Sequence, residues 1–334
     1  MKRQNKGKRE ENVGIRIPYP NPLLRTGKEV EDSVETSIKK EIVNKVENFG
    51  LLYDKLIPLV KENGGEWKVL GKYKREFLTA IKGKEEGMGD ILGKLRKRIE
   101  EEKEILQREG YYILVDKDFK SESRLVIGLG AGSVLETSLT LHKVWGIPYI
   151  PSTALKGILR MAFFWEIARE IAKKIGLSDL QKMLDEPIEE FKKRKGERLN
   201  ESYGKILKFK YLLGSPDYKG LLLFLDAYPL DLKFDVDVMN VHYPEYYSGK
   251  GEKARDDEMP NPIFFLTLAP GVRFLVVILF DVKRYEWIEG KEFSKEEVKE
   301  EVECLIATAF KEFGVGAKTR VGYGVLGQIE ALGK

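Results

Sequence analysis

The apolar positions change period along the chain, and the changes divide it. Between about residues 30 and 109 they recur at helical spacing between glycines, as in SIKKEIVNKVENFG and GDILGKLRKRIEEEKEILQREG, the repeat of helices with one buried face. Opposite charges four residues apart accompany this repeat and suit solvated helices. From Tyr111 the pattern becomes that of strands: YYILVD, RLVIGLG and SVLETSLTLHKVW are rich in β-branched and aromatic residues. The spacing of Leu155, Ile158, Leu159, Ala162 and Phe163 predicts a helix over 152–174. A strand in GLLLFLDAY follows, then a polar irregular stretch at 229–262 and two strands paired around Pro270-Gly271. Next comes SKEEVKEEVECLIATAFKEF, where Ser294 and Glu297 stand at capping-box spacing. Its Val298, Val302, Leu305, Ile306, Ala309 and Phe310 share one helical face, and a last strand lies in GYGVLGQIEAL.

Reduced to its core the order is β-α-β-β-α-β, which predicts an α+β fold of the ferredoxin-like (RRM-like) plan with large insertions and an N-terminal helical segment. The domains expected are 1–110, a basic arm followed by helices, and 111–334, the core, with 229–262 projecting from it. An antiparallel sheet with both helices on one face leaves the other face open, as RNA-recognition domains do.

Composition narrows the class. With 334 residues, 42% of them hydrophobic, the chain can bury a sizeable core. The longest apolar region, FFLTLAPGVRFLVVILF, is broken by Pro270, Gly271 and Arg273, so it reads as two buried strands and not as a membrane span. The start, MKRQNKGKRE, is basic with no apolar stretch behind it, so a cytoplasmic protein is expected. Cys304 is the single cysteine; it excludes internal disulfides and is expected as a core thiol on the apolar face of its helix. Charged residues make up 34%, mostly Lys and Glu, a balance common in hyperthermophiles. The net charge of +4 hints only weakly at an anionic partner.

The candidate chemistry lies in two stretches. GVGAKTRVGYG, Gly314 to Gly324, places glycines around Lys318, Thr319 and Arg320. It is not a nucleotide-binding P-loop, because Ala317 and Glu312 stand where that motif needs glycine, and because it runs from helix to strand. A phosphate held there belongs to something lying across the protein, and a polymer fits better than a nucleotide. The second stretch, PSTALKG at 151–157, offers Ser152 or Thr153 as N-cap of the 152–174 helix. Lys156 in the first turn opposes the helix dipole, and Arg160 of like sign follows one turn later. Gly157 costs about 0.8–1 kcal/mol relative to alanine in a helix interior. A phosphate at the helix N-terminus reverses the sign of both charge terms; the alternative is that both cations are solvated and Gly157 relieves a helix contact.

Gly314, Gly316, Lys318, Thr319, Arg320, Gly322 and Tyr323, with Ser152, Thr153, Lys156, Gly157 and Arg160, are therefore the candidate RNA-binding residues. His142 joins them as a surface or base-stacking side chain. Neither His142 nor His242 is followed by Asp, so no HD metal site is indicated. Asp226, Asp231, Asp235 and Asp237 suggest a metal cluster, against which DLKFDVDV alternates as an exposed strand would. Asp256-Asp257 lacks the glycine pair of a cyclase-type motif. No catalytic residue, metal or cofactor is expected. Tyr243, Tyr246 and Tyr247, interleaved with Lys250, Lys253 and Arg255, suit either RNA stacking or a protein contact. The basic run FKKRKGER at 191–198 is either a solvated face or a further RNA contact.

IPSTALKG with Arg160 following, GVGAKTRVGYG, GLGAGSVLETSLTLHKVWGIPYIPSTALKG, LLFLDAYP and VDVMNVHYPEYY occur in one order over about residues 111–334. In these the chain resembles the RAMP superfamily of CRISPR-associated proteins, and within it the subunits of the Cmr (type III-B) interference complex. The resemblance implies an RRM-like core that binds guide RNA (crRNA) near its 3′ end inside a helical assembly directed at invading RNA. It also implies contacts with other RAMP subunits and with target RNA, whose cleavage falls to a neighbouring subunit. The alternative is an endoribonuclease of the RAMP type. Residues 1–109 carry no motif of the family.

Overall fold

RFLVVILFD at 273–281 is apolar at nearly every position, and such a run suits a strand covered on both faces rather than one. It forms the strand against which the larger sheet is built. The computed structural model describes residues 13–16, 43–62, 68–69, 73–171, 175–194, 200–241 and 261–329. In chain order the strands and helices begin with β1 (Val13–Arg16), α1 (Phe49–Asp54), β2 (Leu59–Glu62), β3 (Lys68–Val69) and α2 (Lys74–Lys82). Then come α3 (Gly89–Arg108), β4 (Tyr111–Ser121), α4 (Ser152–Ile171), α5 (Leu177–Asp185), α6 (Ile188–Lys192) and α7 (Asn200–Leu213). The series closes with β5 (Leu222–Phe224), β6 (Phe234–Val241), β7 (Asn261–Leu268), β8 (Arg273–Asp281), α8 (Val282–Glu286), α9 (Lys295–Glu312) and β9 (Leu326–Gln328). No helix among the described residues is long and apolar enough to cross a membrane. The N-terminal arm at 1–9 and the tyrosine-rich segment at 242–260 lie outside the described residues.

Two compact units emerge: 1–88 with 128–147 and 234–267, and 89–127 with 148–233 and 268–334. In the first, β1, β2 and β3 form an antiparallel sheet. Phe49, Phe77 and Phe234 are buried in it, the rings of Phe49 and Phe234 stacked at 4.6 Å. Strands β6 and β7 pair, so DVDV, inside the stretch expected to be irregular, is a strand, as its alternation suggests, and β7 does not pair with β8 across Pro270-Gly271 as expected. Asp235 pairs with Lys82 at 3.3 Å, and the Asp237 carboxylate accepts from the Val238 amide. SVLETSLTLHKVW, expected as a strand, instead runs through turns closed by Gly128 and Gly146 at positive φ. Gly146 packs so closely that an added Cβ would come within 2.6 Å of the Gly50 nitrogen.

The second unit holds an antiparallel sheet in the order β5-β8-β4-β9, threaded β4-α4-β5-β8-α9-β9 along the chain. Side chains directly opposite on paired strands point the same way. Phe119 faces Phe274 across β4 and β8, and its ring meets Phe310 of α9 at 4.8 Å. The alternate residues Leu275, Val277 and Leu279 point to the other face. That face is not open. Ile99 of α3 is buried among those three side chains, with Leu106, Ile113 and Leu223 packed around them. Helix α3 therefore covers the surface that the two-helix plan left free, and for this reason it belongs with the sheet and not with the residues before it. Lys103, buried on the same helix, ties α3 to β4 through Asp116 at 2.7 Å.

Helix α9 carries the predicted capping box: the Glu297 amide donates to the Ser294 hydroxyl and the Ser294 amide to the Glu297 carboxylate. All six predicted apolar residues are buried. Cys304 is exposed, contrary to expectation. It stands two residues after Val302, about 200° round the helix, which turns it away from the core.

Candidate nucleic-acid interface

Strands β4 and β5 each run antiparallel to β8, so both point toward the same end of the sheet. Both candidate stretches attach there. Beyond β4, chain 122–126 lies against the glycine loop: the Gly324 amide donates to the Arg124 carbonyl at 2.8 Å and the Ala317 amide to the Val126 carbonyl at 2.8 Å. Beyond β5, Ala227 pairs with Ile150, and the Asp226 carboxylate accepts from the Ser152 amide at 2.7 Å.

The four loop glycines all have positive φ. An added Cβ would lie 2.8 Å from the Tyr323 carbonyl oxygen at Gly314, 2.4 Å from that of Val126 at Gly316, and 1.9 Å from that of Val315 at Gly324. Three of the glycines thus serve close backbone passage within the chain. Gly322 meets nothing within 4 Å. The loop that results is tight: Val315 donates to the Gly324 carbonyl, and Thr319–Val321 form one 3-10 turn. Lys318 sits at the head of this turn in the left-handed region, φ 61°, with its ammonium 5.1 Å from the Tyr323 ring centroid. Thr319 is half-buried, and Arg320 and Gly322 are exposed. Arg124, exposed beside the loop, is a cation that sequence reasoning missed. Its signal is faint, because only its backbone pairing with Gly324, 200 residues later, brings it here.

At the other stretch the structure revises the helix start. Neither Ser152 nor Thr153 is the residue before the helix; Ser152 is its first residue, and Thr153 is exposed. The anion at this N-terminus is the carboxylate of Asp226, which takes up an otherwise unpaired amide and complements the dipole. Asp226 is thereby a helix cap. Beside it, the Tyr149 and Tyr228 rings stack at 5.6 Å. Burial first and the Asp226 charge second push both phenols up, Tyr228 to about 12. Lys156 is exposed, yet its pKa is lowered, by partial desolvation of the ammonium first and by Arg160 second. Gly157 is open: an added Cβ meets nothing within 4 Å, so it relieves no helix contact. Arg160 is already engaged, bonded to Asp185 at 2.6 Å and lying 4.8 Å over the Phe209 ring.

His142 belongs to the first unit, and the other candidates belong to the second. Its Nδ1 accepts from the Val144 and Trp145 amides at 3.2 and 3.3 Å, which makes it the lock of a turn. Asp231 accepts from the Arg273 amide and side chain. Among the described residues no group of three or more His, Cys, Asp or Glu is placed to hold a metal ion. In the basic run at 191–198, Phe191 is buried, Lys192 pairs with Glu189, and Arg194 pairs in two places with Glu186.

A profile of the RAMP superfamily matches residues 118–326. The CRISPR system Cmr subunit Cmr6 of Pyrococcus furiosus is 32% identical over 241 residues, 62% of this chain and 66% of the relative. The subunit of the same name from Saccharolobus solfataricus is 25% identical over 248 residues, 72% of this chain and 66% of the relative. The match spans 66% of the length of each relative. Among solved structures, a chain of the type III-B Cmr-beta complex bound to cognate target RNA shares the fold at TM-score 0.51 and 22% identity, over 78% of this chain and 72% of that one. The crystal structure of Cmr6 from Pyrococcus furiosus aligns at TM-score 0.40 and 28% identity, over 66% of this chain and 99% of that one.

Proposed function

The chain belongs to the RAMP superfamily, and on that premise we propose that it is a guide-RNA-binding structural subunit of a Cmr (type III-B) effector complex, the sixth-subunit kind, with no cleavage chemistry of its own. In this reading it works with other Cmr subunits, crRNA and target RNA against invading RNA. The sheet of the second unit is then the ferredoxin-like plan: numbered along the chain, its strands lie in the order 2-3-1-4, and the two connecting helices are α4 and α9.

The observation that supports the reading best is the shared location of Lys156, Lys318 and Arg320 at one end of that sheet, on a helix start and a loop that are both held fixed. Because α3 covers the sheet face, RNA runs over the loop and helix edge instead of stacking across the strands. Contacts of that kind go to phosphates and fix position without reading sequence. The same constraint favours a binding role over an endoribonuclease: Asp226 is occupied as a cap, and His142 locks a turn.

The test is to co-express the chain with the other subunits of the complex, identify bound protein and RNA, and incubate the chain alone with labelled guide and complementary RNA, with and without divalent metal. Recovery of an assembly carrying guide RNA, with no cleavage by the isolated chain, is expected. Specific cleavage abolished by Asp226→Ala would establish the endoribonuclease instead.

A further inference from the structure

Trp165 on α4 is 40% exposed and Met161, one turn earlier, 47%. The core does not need them: Leu155, Leu159, Ala162, Phe163 and Ile167 of the same helix are already buried. Two cavities flank Trp165. One, about 300 Å³, opens between Gly157, Met161 and Phe164. The other, about 310 Å³, lies where α4 meets α9 and has Glu166 and Glu301 in its wall.

In the second cavity Glu166 Oε2 is shut off from solvent and accepts no hydrogen bond. Burial first, then the Glu301 charge, raises its pKa. Lys205 and Lys208 of α7 act against that rise, but their ion pairs are made with Glu170 and Glu301. On α4 itself Arg169 turns to Glu312 at 3.5 Å. A carboxylate oxygen closed to solvent without a hydrogen bond is costly even on a half-buried side chain, and a cation delivered from outside reduces that cost. An exposed Trp between two cavities is the kind of anchor that dominates protein interfaces.

We propose that this face of α4 and α9 docks a second protein chain, which directs a Lys or Arg side chain to Glu166 and lays an apolar side chain against Trp165. The inference rests on the assembly reading given above and adds the surface and its chemistry. RNA suits the site poorly, because Glu170, Glu301 and Glu312 are matched by Lys205, Lys208 and Arg169, and the carboxylate left over, Glu166, repels phosphate. A second copy that sets this face against itself across a two-fold axis brings Glu166 toward Glu166 and supplies no cation for either. The two ends of α4 thus have opposite tasks, RNA at Lys156 and protein at Trp165.

Trp165→Ala, Glu166→Gln and Glu166→Lys, each in the full chain, are titrated against the co-expressed remaining subunits, with RNA affinity, sedimentation and melting of the free chain measured in parallel. Trp165→Ala should weaken assembly by about 30-fold or more, and Glu166→Lys further. Glu166→Gln should also weaken assembly while leaving the free chain as stable as wild type or more so, since it removes a buried charge. That combination separates docking from a folding role. Assembly of all three variants at wild-type affinity overturns the proposal, as does a loss of RNA affinity in Trp165→Ala or a concentration-dependent dimer that the variants abolish. A wild-type chain that takes up no subunit at all overturns the assembly reading together with this face. A wild-type chain that assembles, with variants that do so equally, overturns the face alone.

Discussion

Asp226 shows how much of this molecule is decided by single side chains. Its carboxylate reaches the Ser152 amide from 74 residues away in sequence and sits beside two stacked tyrosines. Asp226→Asn keeps the shape but removes the charge from the helix start, and should cost about 0.3–1 kcal/mol in a denaturant melt. It should also bring the Tyr228 phenol down from about 12, because the Asp226 charge is one of the causes holding it there; an ultraviolet titration reads this directly. Asp217 offers a second test. Burial opposes its ionisation, but the Ser215 hydroxyl and the Ile188 and Glu189 amides hold the carboxyl at about 2, below the ordinary 3.8. A carboxyl depressed in the folded state stabilises the fold above its unfolded value and loses that contribution as pH falls through the folded one. Acid unfolding of the wild type should therefore steepen between about pH 4 and 2, and Asp217→Asn should lack that component.

At the scale of elements, the caps and the glycines make separable predictions. Ser294→Ala breaks the capping box of α9 and should cost about 1 kcal/mol. In the loop, Gly324→Ala places a Cβ 1.9 Å from the Val315 carbonyl oxygen at φ 75°, whereas Gly322→Ala meets nothing within 4 Å at φ 91°. The second substitution should cost only the left-handed backbone penalty, about 1–2 kcal/mol. The first should exceed it clearly, and equal melts for the two would show that the loop yields. Ile99→Ala tests the cover over the sheet: a buried Ile cut to Ala costs about 2–5 kcal/mol. The periodicity of α3 was readable, but its destination was not, because amphipathic spacing says that a face is buried and not what buries it. The continuous apolar run of β8 was the available signal that the sheet is covered on both sides.

For the whole molecule the decisive measurement is the salt dependence of RNA affinity in the assembled complex. Log affinity for a single strand falls with log salt by about 0.7 per phosphate neutralised, so Lys318→Ala with Arg320→Ala should flatten the slope by about 1–1.4. Lys2→Ala with Arg3→Ala, outside the described residues, is the control. A wild-type slope in the loop variant would leave the glycines with chain closure alone. By itself the sequence determined the class of the fold, the capped helix α9 and all six of its buried residues, the existence of a strand on either side of Pro270-Gly271 though not their partners, the exclusion of a P-loop, and the family. Those features rest on local periods, caps and motif order, which neighbouring residues carry among themselves. Only the tertiary structure decided that Asp226 caps α4, that Arg160 is taken by Asp185, that His142 locks a turn in the other unit, that Cys304 faces outward and that α3 closes the sheet. Each of those depends on which distant group arrives first at a charge, an amide or an apolar face, and neither charge availability nor burial is a property of the residue that carries it.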